Sequence, residues 1–212
     1  MIVRRKTETI VKRYNRIANI YDKLNKLYSS ATGNKGSHND FREIVWDLAK
    51  GNVLEVGVGT GNNIQYYTND INITSVDFSN NMLDIAKEKA QALGKSNIDF
   101  KVMDVQNLDF PDNKFDTVVC TFIFQSVPNP IKGLSEMNRV CAPNGTIIML
   151  EHVKSNKFFT KLIANILSPI DYMLVGCTLN RDTVQCIKDA GLKIESIQNL
   201  KSDVVKLIVC RK

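Results

Sequence analysis

The sequence predicts an α/β fold in which a mostly parallel sheet is covered by helices on both faces. Three observations carry that expectation. Short apolar, β-branched segments alternate with helical ones between residues 52 and 151. The first runs directly into a glycine-rich turn, Gly57-Val58-Gly59-Thr60-Gly61. Near the C-terminus, two strand-like segments are separated by Lys201-Ser202-Asp203, a gap that suits a hairpin and an antiparallel end to the sheet. A length of 212 residues fits one domain, 1–212, with a substantial core. The 43% hydrophobic and 24% charged fractions exclude disorder, collagen-like structure and a disulfide scaffold as descriptions of the whole chain.

Residues 1–28 form the first element, an amphipathic helix. Ile10, Tyr14, Ile17, Tyr21, Leu24 and Tyr28 recur at spacings of four and three, while Lys12, Arg16, Lys23 and Lys26 fall opposite. This arm holds eight bases and two acids, and residues 29–212 hold 20 of each, so the whole net charge of +6 sits on the arm. A polar loop, Ser29 to Asn39, carries Gly33, Gly36 and His38. A short helix, Asp40 to Ala49, follows with Asn39 or Asp40 as its cap.

Strands are expected at Asn52–Val56, Ile71–Val76, Ile98–Met103, Phe115–Phe122 and Gly145–Glu151. Between them, Ser79 caps a helix that Gly94 stops, and Pro128-Asn129-Pro130 leads into a helix at Ile131–Val140. Residues 153–180 read as an apolar helical insertion or lid, with Phe158, Phe159, Leu162, Ile163, Ile166 and Leu167. A helix at Asp182–Ala190 and strands at Leu192–Leu200 and Val204–Cys210 complete the chain.

Five scattered cysteines without a C-x-x-C pair argue against a disulfide framework and against a metal site. No secretory signal and no run of about 18 apolar residues is present, which points to a cytoplasmic protein whose basic arm can touch an anionic membrane. A solvated helix face without a partner is the plainer reading of the same charge.

The strand-to-turn segment Val53 to Gly61 supplies close backbone approach and open N–H groups for a ligand, and it is read as opening a helix. Asn62 stands where the dinucleotide fingerprint needs its third glycine, and no Gly-Lys-Ser/Thr follows, so the ligand is adenosine-like without a pyrophosphate. Asp77 and Asp104 end the second and third strands, the first about 20 residues beyond the loop, where an acid can accept from ribose hydroxyls.

These segments, with Phe115-Asp116-Thr117-Val118-Val119 and Arg139 to Gly145, resemble class I S-adenosylmethionine-dependent methyltransferases over roughly residues 10–152. The resemblance implies a Rossmann-like seven-stranded sheet with an antiparallel last strand. It also implies cofactor roles for Glu55, for the backbone at Gly57, Gly59 and Gly61, for Asp77 and Phe78 at the ribose, for Asp104 and Val105 at the adenine, and for Thr121 and Phe122 beside the sulfonium. Asn144 departs from the commoner glycine, a change tolerated at positive φ.

Arg16-Ile17-Ala18-Asn19-Ile20-Tyr21-Asp22 is similar to the opening of the ubiquinone/menaquinone-biosynthesis and soluble phospholipid N-methyltransferases. There the N-terminal region folds over the cofactor, so Tyr14 and Tyr21 are candidates to close the site, or to pack in the core. Ser126 to Pro130 and Val175 to Thr183 look more like the phospholipid branch, and also like animal lipid-associated thiol methyltransferases. The acceptor implied first is a phospholipid amine, then a quinone-precursor ring, then a thiol. Nucleic acid is disfavoured: Thr121-Phe122-Ile123-Phe124 is not an Asp/Asn-Pro-Pro-aromatic motif, no Pro-Cys occurs, and the body is neutral. A non-catalytic cofactor-binding regulator and a nicotinamide oxidoreductase are the rival classes. For catalysis, His152 is the candidate base, with a loop hydrogen bond as its plainer role, and Tyr21 is the other catalytic candidate; Cys177 without a partner base reads as a buried thiol.

Overall fold

In a computed structural model, the protein is described over residues 2–31, 37–154 and 181–212, with side chains from residue 6 to 24 and from 41 onward within those spans. The expected helices at 155–175, the 153–180 lid beyond Lys154, Cys177, His38, and the side chains of Lys26 and Tyr28 lie outside these described parts.

Seven strands form one sheet: β1 (Asn52–Val56), β2 (Asn72–Asp77), β3 (Ile98–Val102), β4 (Phe115–Thr121), β5 (Cys141–His152), β6 (Lys193–Lys201) and β7 (Val205–Arg211). Their order across the sheet is β3-β2-β1-β4-β5-β7-β6. The first five run parallel, with Val56 opposite Val76 on one side and Cys120 on the other. β7 runs antiparallel to both β5 and β6. The terminal hairpin is therefore as the sequence predicts, but its antiparallel strand lies inside the sheet and β6 forms the edge. β1 and β4 are neighbours although β2 and β3 intervene in sequence, which creates the crevice where ligands enter such sheets.

Helices α1 (Ile2–Ala31), α2 (Ser37–Leu48), α3 (Asn80–Ala92), α4 (Pro130–Val140) and α5 (Thr183–Asp189) surround the sheet. One core layer joins Val45 and Trp46 of α2 and Leu83, Ala86 and Ala90 of α3 to the sheet. The other joins Leu134, Met137 and Val140 of α4 and Ile187 of α5. The start of α3 follows the sequence: the Ser79 hydroxyl accepts the N–H of Met82 at 3.2 Å. Asn129 caps α4 in the same way through Lys132 at 3.1 Å, and Pro130 fills the first helical position, where its missing N–H costs nothing.

Three expectations need correction. α2 begins at Ser37, so neither Asn39 nor Asp40 caps it. The glycine turn opens a single 3₁₀ turn, Ile64–Tyr66, instead of a helix; Gly61 at φ +78° breaks the right-handed run, and Asn63 is drawn into side-chain bonds. Asn144 lies within β5 and does not have a positive φ. Gly145 beside it is the residue without room, since an added Cβ would lie 2.6 Å from Cys141 Sγ and 2.9 Å from two carbonyl oxygens.

Leu134 is completely buried between α4 and the sheet. Leu134→Ala should cost about 2–5 kcal/mol of stability. Urea unfolding should show a lower midpoint at an unchanged slope.

Candidate active site

At the carboxyl ends of β1 and β4 the chain turns through Gly57, Gly59 and Gly61, all at φ between +55° and +78°. Such angles suit glycine. At Gly57 a side chain is excluded twice, because an added Cβ would also lie 2.4 Å from Ile123 Cγ2. Gly61 is packed from below, its position 2.5 Å from Ile64 Cδ1 and 3.2 Å from Ala86. Gly59 differs: an added Cβ would meet nothing within 4 Å, and the residue lines a cavity.

Beneath this loop lies a buried polar cluster centred on Glu55, which is fully buried on β1. The Tyr67 hydroxyl and the Asn63 amide donate to its two carboxylate oxygens, and the Ser75 hydroxyl adds a 3.3 Å bond. Asn63 Nδ2 also donates to Thr121 Oγ1 at 3.0 Å, and Arg42 Nη1 donates to the same hydroxyl at 2.8 Å and to Asn63 Oδ1. Burial pushes the Glu55 carboxyl up, against the pull of Tyr67, Asn63 and the Arg42 charge. Glu55 and Gly61 do not line the cavity. Their placement suits bracing of the loop from behind, in contrast to the ligand contact that the resemblance implies for them.

The two strand-end acids do reach the cavity wall. Asp77 Oδ2 accepts the N–H of Gly59 at 2.9 Å and Oδ1 that of Ser79 at 2.9 Å, so the carboxylate ties the glycine loop to the start of α3. Burial raises its pKa to about 6, opposed by those N–H donors. Asp104 is held by Gln106, whose side-chain amide reaches both oxygens at 3.0 and 2.8 Å. Gln106 further donates to Thr7 Oγ1 of α1 and accepts the N–H of Asn129.

Helix α1 roofs the cavity. Thr7, Ile10, Tyr14 and Tyr21 line it, and Ile10 and Ala18 are buried. Tyr14 meets Phe78 edge-on at 5.5 Å and Tyr21 at 6.0 Å. Polar latches fix the roof. Ser79 Oγ donates to Asn15 Oδ1 at 2.6 Å, and Thr60 Oγ1 donates to Asp22 Oδ1 at 2.7 Å. Lys89 pairs with Asp22 at 3.2 Å and with Asn62 at 3.1 Å. Burial raises the Asp22 carboxyl, but the Thr60 bond and the Lys89 charge outweigh it and leave the pKa below the ordinary value. Asn62, the departure from the dinucleotide pattern, is thus a roof anchor. The stripe expected along α1 is buried or partly buried from Ile10 to Tyr21, and its next member, Leu24, is 43% exposed; Ile20, outside the stripe, is 48% exposed.

Thr121, Phe122 and Ile123 form the wall after β4. Phe122 has φ +58°, a strained angle for an aromatic residue. Its ring centroid is 4.7 Å from that of His152 and 5.2 Å from the Arg42 guanidinium carbon. His152 packs against Phe122 and is not among the described residues that line the cavity. Arg42, Asn63 and Gln106 are absent from the sequence-based candidates. For Arg42 a signal existed: it shares helical spacing with Val45, Trp46 and Ala49, so it is a cation on the buried face of α2.

The cavity opens to solvent and is walled by α1, the glycine loop and the segments that follow β2, β3 and β4. Its lining combines the apolar side chains of Ile10, Met82, Met103, Val105, Val127 and Pro128 with the Asp77 carboxyl, the open space over Gly59 and the Arg42 cation. Such a mixture has partners for an apolar base, for hydroxyl groups and for a carboxylate.

A protein-family model described as a methyltransferase domain matches residues 54–149. The phosphatidylethanolamine N-methyltransferase of Cereibacter sphaeroides is 43% identical over 108 residues, covering 50% of this chain and 53% of that protein, so the match spans about half that relative's length. The ubiquinone/menaquinone biosynthesis C-methyltransferase UbiE of Pseudomonas syringae pv. tomato is 27% identical over 95% of this chain and 88% of its own. Among solved structures, the cyclase SpnF superposes with a TM-score of 0.71 at 18% identity, covering 93% of this chain and 95% of its own; at that identity the likeness establishes the fold. The chain belongs to the class I S-adenosylmethionine-dependent methyltransferases, and S-adenosylmethionine is the cofactor its cavity is built to take.

Proposed function

We propose that the protein methylates a small lipophilic or amphiphilic acceptor, first a phospholipid amine head group of the phosphatidylethanolamine type. The observation that carries this reading is the 43% identity to the Cereibacter enzyme. A quinone-precursor ring is the second reading, favoured by the UbiE relative, which is matched over 88% of its length.

When bound, S-adenosylmethionine supplies a methyl group activated by its sulfonium. The protein's part is to hold, orient and exclude water. Asp77 accepts from the ribose hydroxyls, Gly57 and Gly59 present backbone, Val105 and Ile10 enclose the base, and Arg42 faces the amino-acid carboxylate. Asp104, already gripped by Gln106, fixes the loop that carries Val105. Phe122 and Ile123 wall the acceptor side. Tyr21 lines the cavity and can take a hydrogen bond from an amine that has lost its proton, whereas His152 packs against Phe122 and is not among the described lining residues. The exposed Lys12, Arg16 and Lys23 of α1, beside Ile20 and Leu24, suit the surface of an anionic membrane that delivers the acceptor.

Transfer of labelled methyl to vesicles containing phosphatidylethanolamine tests the first reading. Labelled demethylated quinol in its place would favour the second, and tight cofactor binding without transfer to any lipid, quinone or thiol would favour a regulator.

Asp77→Ala should weaken S-adenosylhomocysteine by about 1.5–3 kcal/mol for each ribose bond lost, as read by calorimetry. In the unmodified protein that affinity should be level above pH 7 and fall as pH drops through about 6, because protonated Asp77 no longer accepts a second donor well. Asp77→Asn should flatten the profile. Fold stability runs the other way: a carboxyl whose pKa is raised from 3.8 to about 6 costs stability above pH 6 that it does not cost below 3.8.

Replacing Lys12, Arg16 and Lys23 together by Gln should reduce co-sedimentation with anionic vesicles, most visibly at low salt, while S-adenosylhomocysteine affinity holds. Deleting residues 1–13 would be a poorer test, since it removes Thr7 and Ile10 from the cavity wall.

A further inference from the structure

Glu151, at the end of β5, is completely buried and does not line the cavity. One of its oxygens is heavily used: Oε1 accepts the backbone N–H of Ile123 at 2.9 Å and of Phe124 at 3.3 Å, with the Cys120 thiol at 3.7 Å. Oε2 has no hydrogen-bond partner among the described residues. A buried carboxyl with one idle oxygen is costly. Core packing alone would be served better by an apolar side chain.

What the carboxyl holds is the wall after β4. Phe122, immediately before the two N–H groups, sits at φ +58°, with its own N–H bonded to Leu150 O at 2.8 Å. Ile123 presses its Cγ2 into the space that a Cβ on Gly57 would need. Phe122 and Ile123 both face the cavity, so a relaxation of this turn would move the wall against which the acceptor packs. Burial pushes the Glu151 carboxyl up to about 7, against the pull of the two N–H donors, Cys120 and the Arg181 charge.

We propose that Glu151 is a positioning residue: through the N–H groups of Ile123 and Phe124 it holds the left-handed turn at Phe122, and so sets where the acceptor wall stands relative to the glycine loop. The acceptor part of this inference rests on the methyl-transfer reading above; the positioning part does not.

Glu151→Ala and Glu151→Gln, made in the full chain, test it. The amide oxygen of Gln can still accept both N–H groups, though more weakly. Residue-resolved hydrogen exchange should show Ile123 and Phe124 opening at least about tenfold faster in the Ala variant. The Gln variant should fall between the two, and the Phe122 amide should change less. With phosphatidylethanolamine vesicles, kcat/KM should fall at least about tenfold for Ala and recover largely for Gln. The S-adenosylhomocysteine dissociation constant should stay near that of the unmodified protein in both. Unchanged exchange at Ile123 and Phe124 in the Ala variant overturns the proposal. So does parallel loss of kcat/KM and cofactor affinity in both variants, which would mark general destabilisation. If the Ala variant does not fold, unchanged exchange at both amides in the Gln variant overturns it equally. Should no lipid be methylated by the unmodified protein, the acceptor reading falls while the exchange measurement still decides the positioning role.

Discussion

The buried carboxylate of Glu55 is the interaction on which the rest of the site depends. A charge in the interior must be paired and hydrogen-bonded or it will not remain there. Tyr67, Asn63 and Ser75 meet that demand directly, and Arg42 does so through Asn63, while the Thr121 hydroxyl accepts from both Arg42 and Asn63. Four elements are tied together as a result. β1 carries Glu55, the turn after the glycine loop carries Asn63, β4 ends in Thr121, and α2 contributes Arg42. Since β1 and β4 flank the crevice of the sheet, this cluster sets the floor and one wall of the cavity at once.

The roof is organised on a different principle. Helix α1 is not held by an unbroken apolar seam, because its stripe becomes exposed at Leu24. Short polar latches to Gln106, Ser79 and Asn81, and Thr60 with Lys89 fix it at three heights along the cleft. Each latch ends on a residue beside the cavity wall: Gln106 beside Asp104, Ser79 beside Asp77, and Thr60 in the glycine loop. Closing the roof and ordering the cavity wall are therefore one process. Of these latches, the partly solvated Lys89–Asp22 ion pair is weak on its own, while the bonds to buried Ser79, Thr60 and Gln106 are shielded from water.

Much of this was legible in the sequence because it is local. The alternating pattern located all seven strands within a few residues, Ser79 and Asn129 announced the helix starts, and the three-residue gap at 201–203 announced the hairpin. The glycine turn was legible because backbone geometry is local too. Its continuation was not: a 3₁₀ turn replaces the expected helix because Asn63 is recruited by Glu55 and Thr121, which are 8 and 58 residues away in sequence. The same distance hides Gln106, which meets Thr7 of α1 and Asn129 before α4, 99 and 23 residues away in sequence.

The sequence alone determined the class of fold, the position of the cofactor loop and the charge on the arm, since each follows from residue type and spacing along a short stretch. The tertiary structure decided which acids face the cavity and which brace it from behind. Glu55 and Asp77 end neighbouring strands and look alike in the sequence, yet one lies beneath the glycine loop and the other beside it. It also packed His152 against Phe122 and brought Arg42 to the wall. Those assignments depend on which side of a strand end a side chain leaves from and on what packs against it, and such relations exist only after distant segments have met.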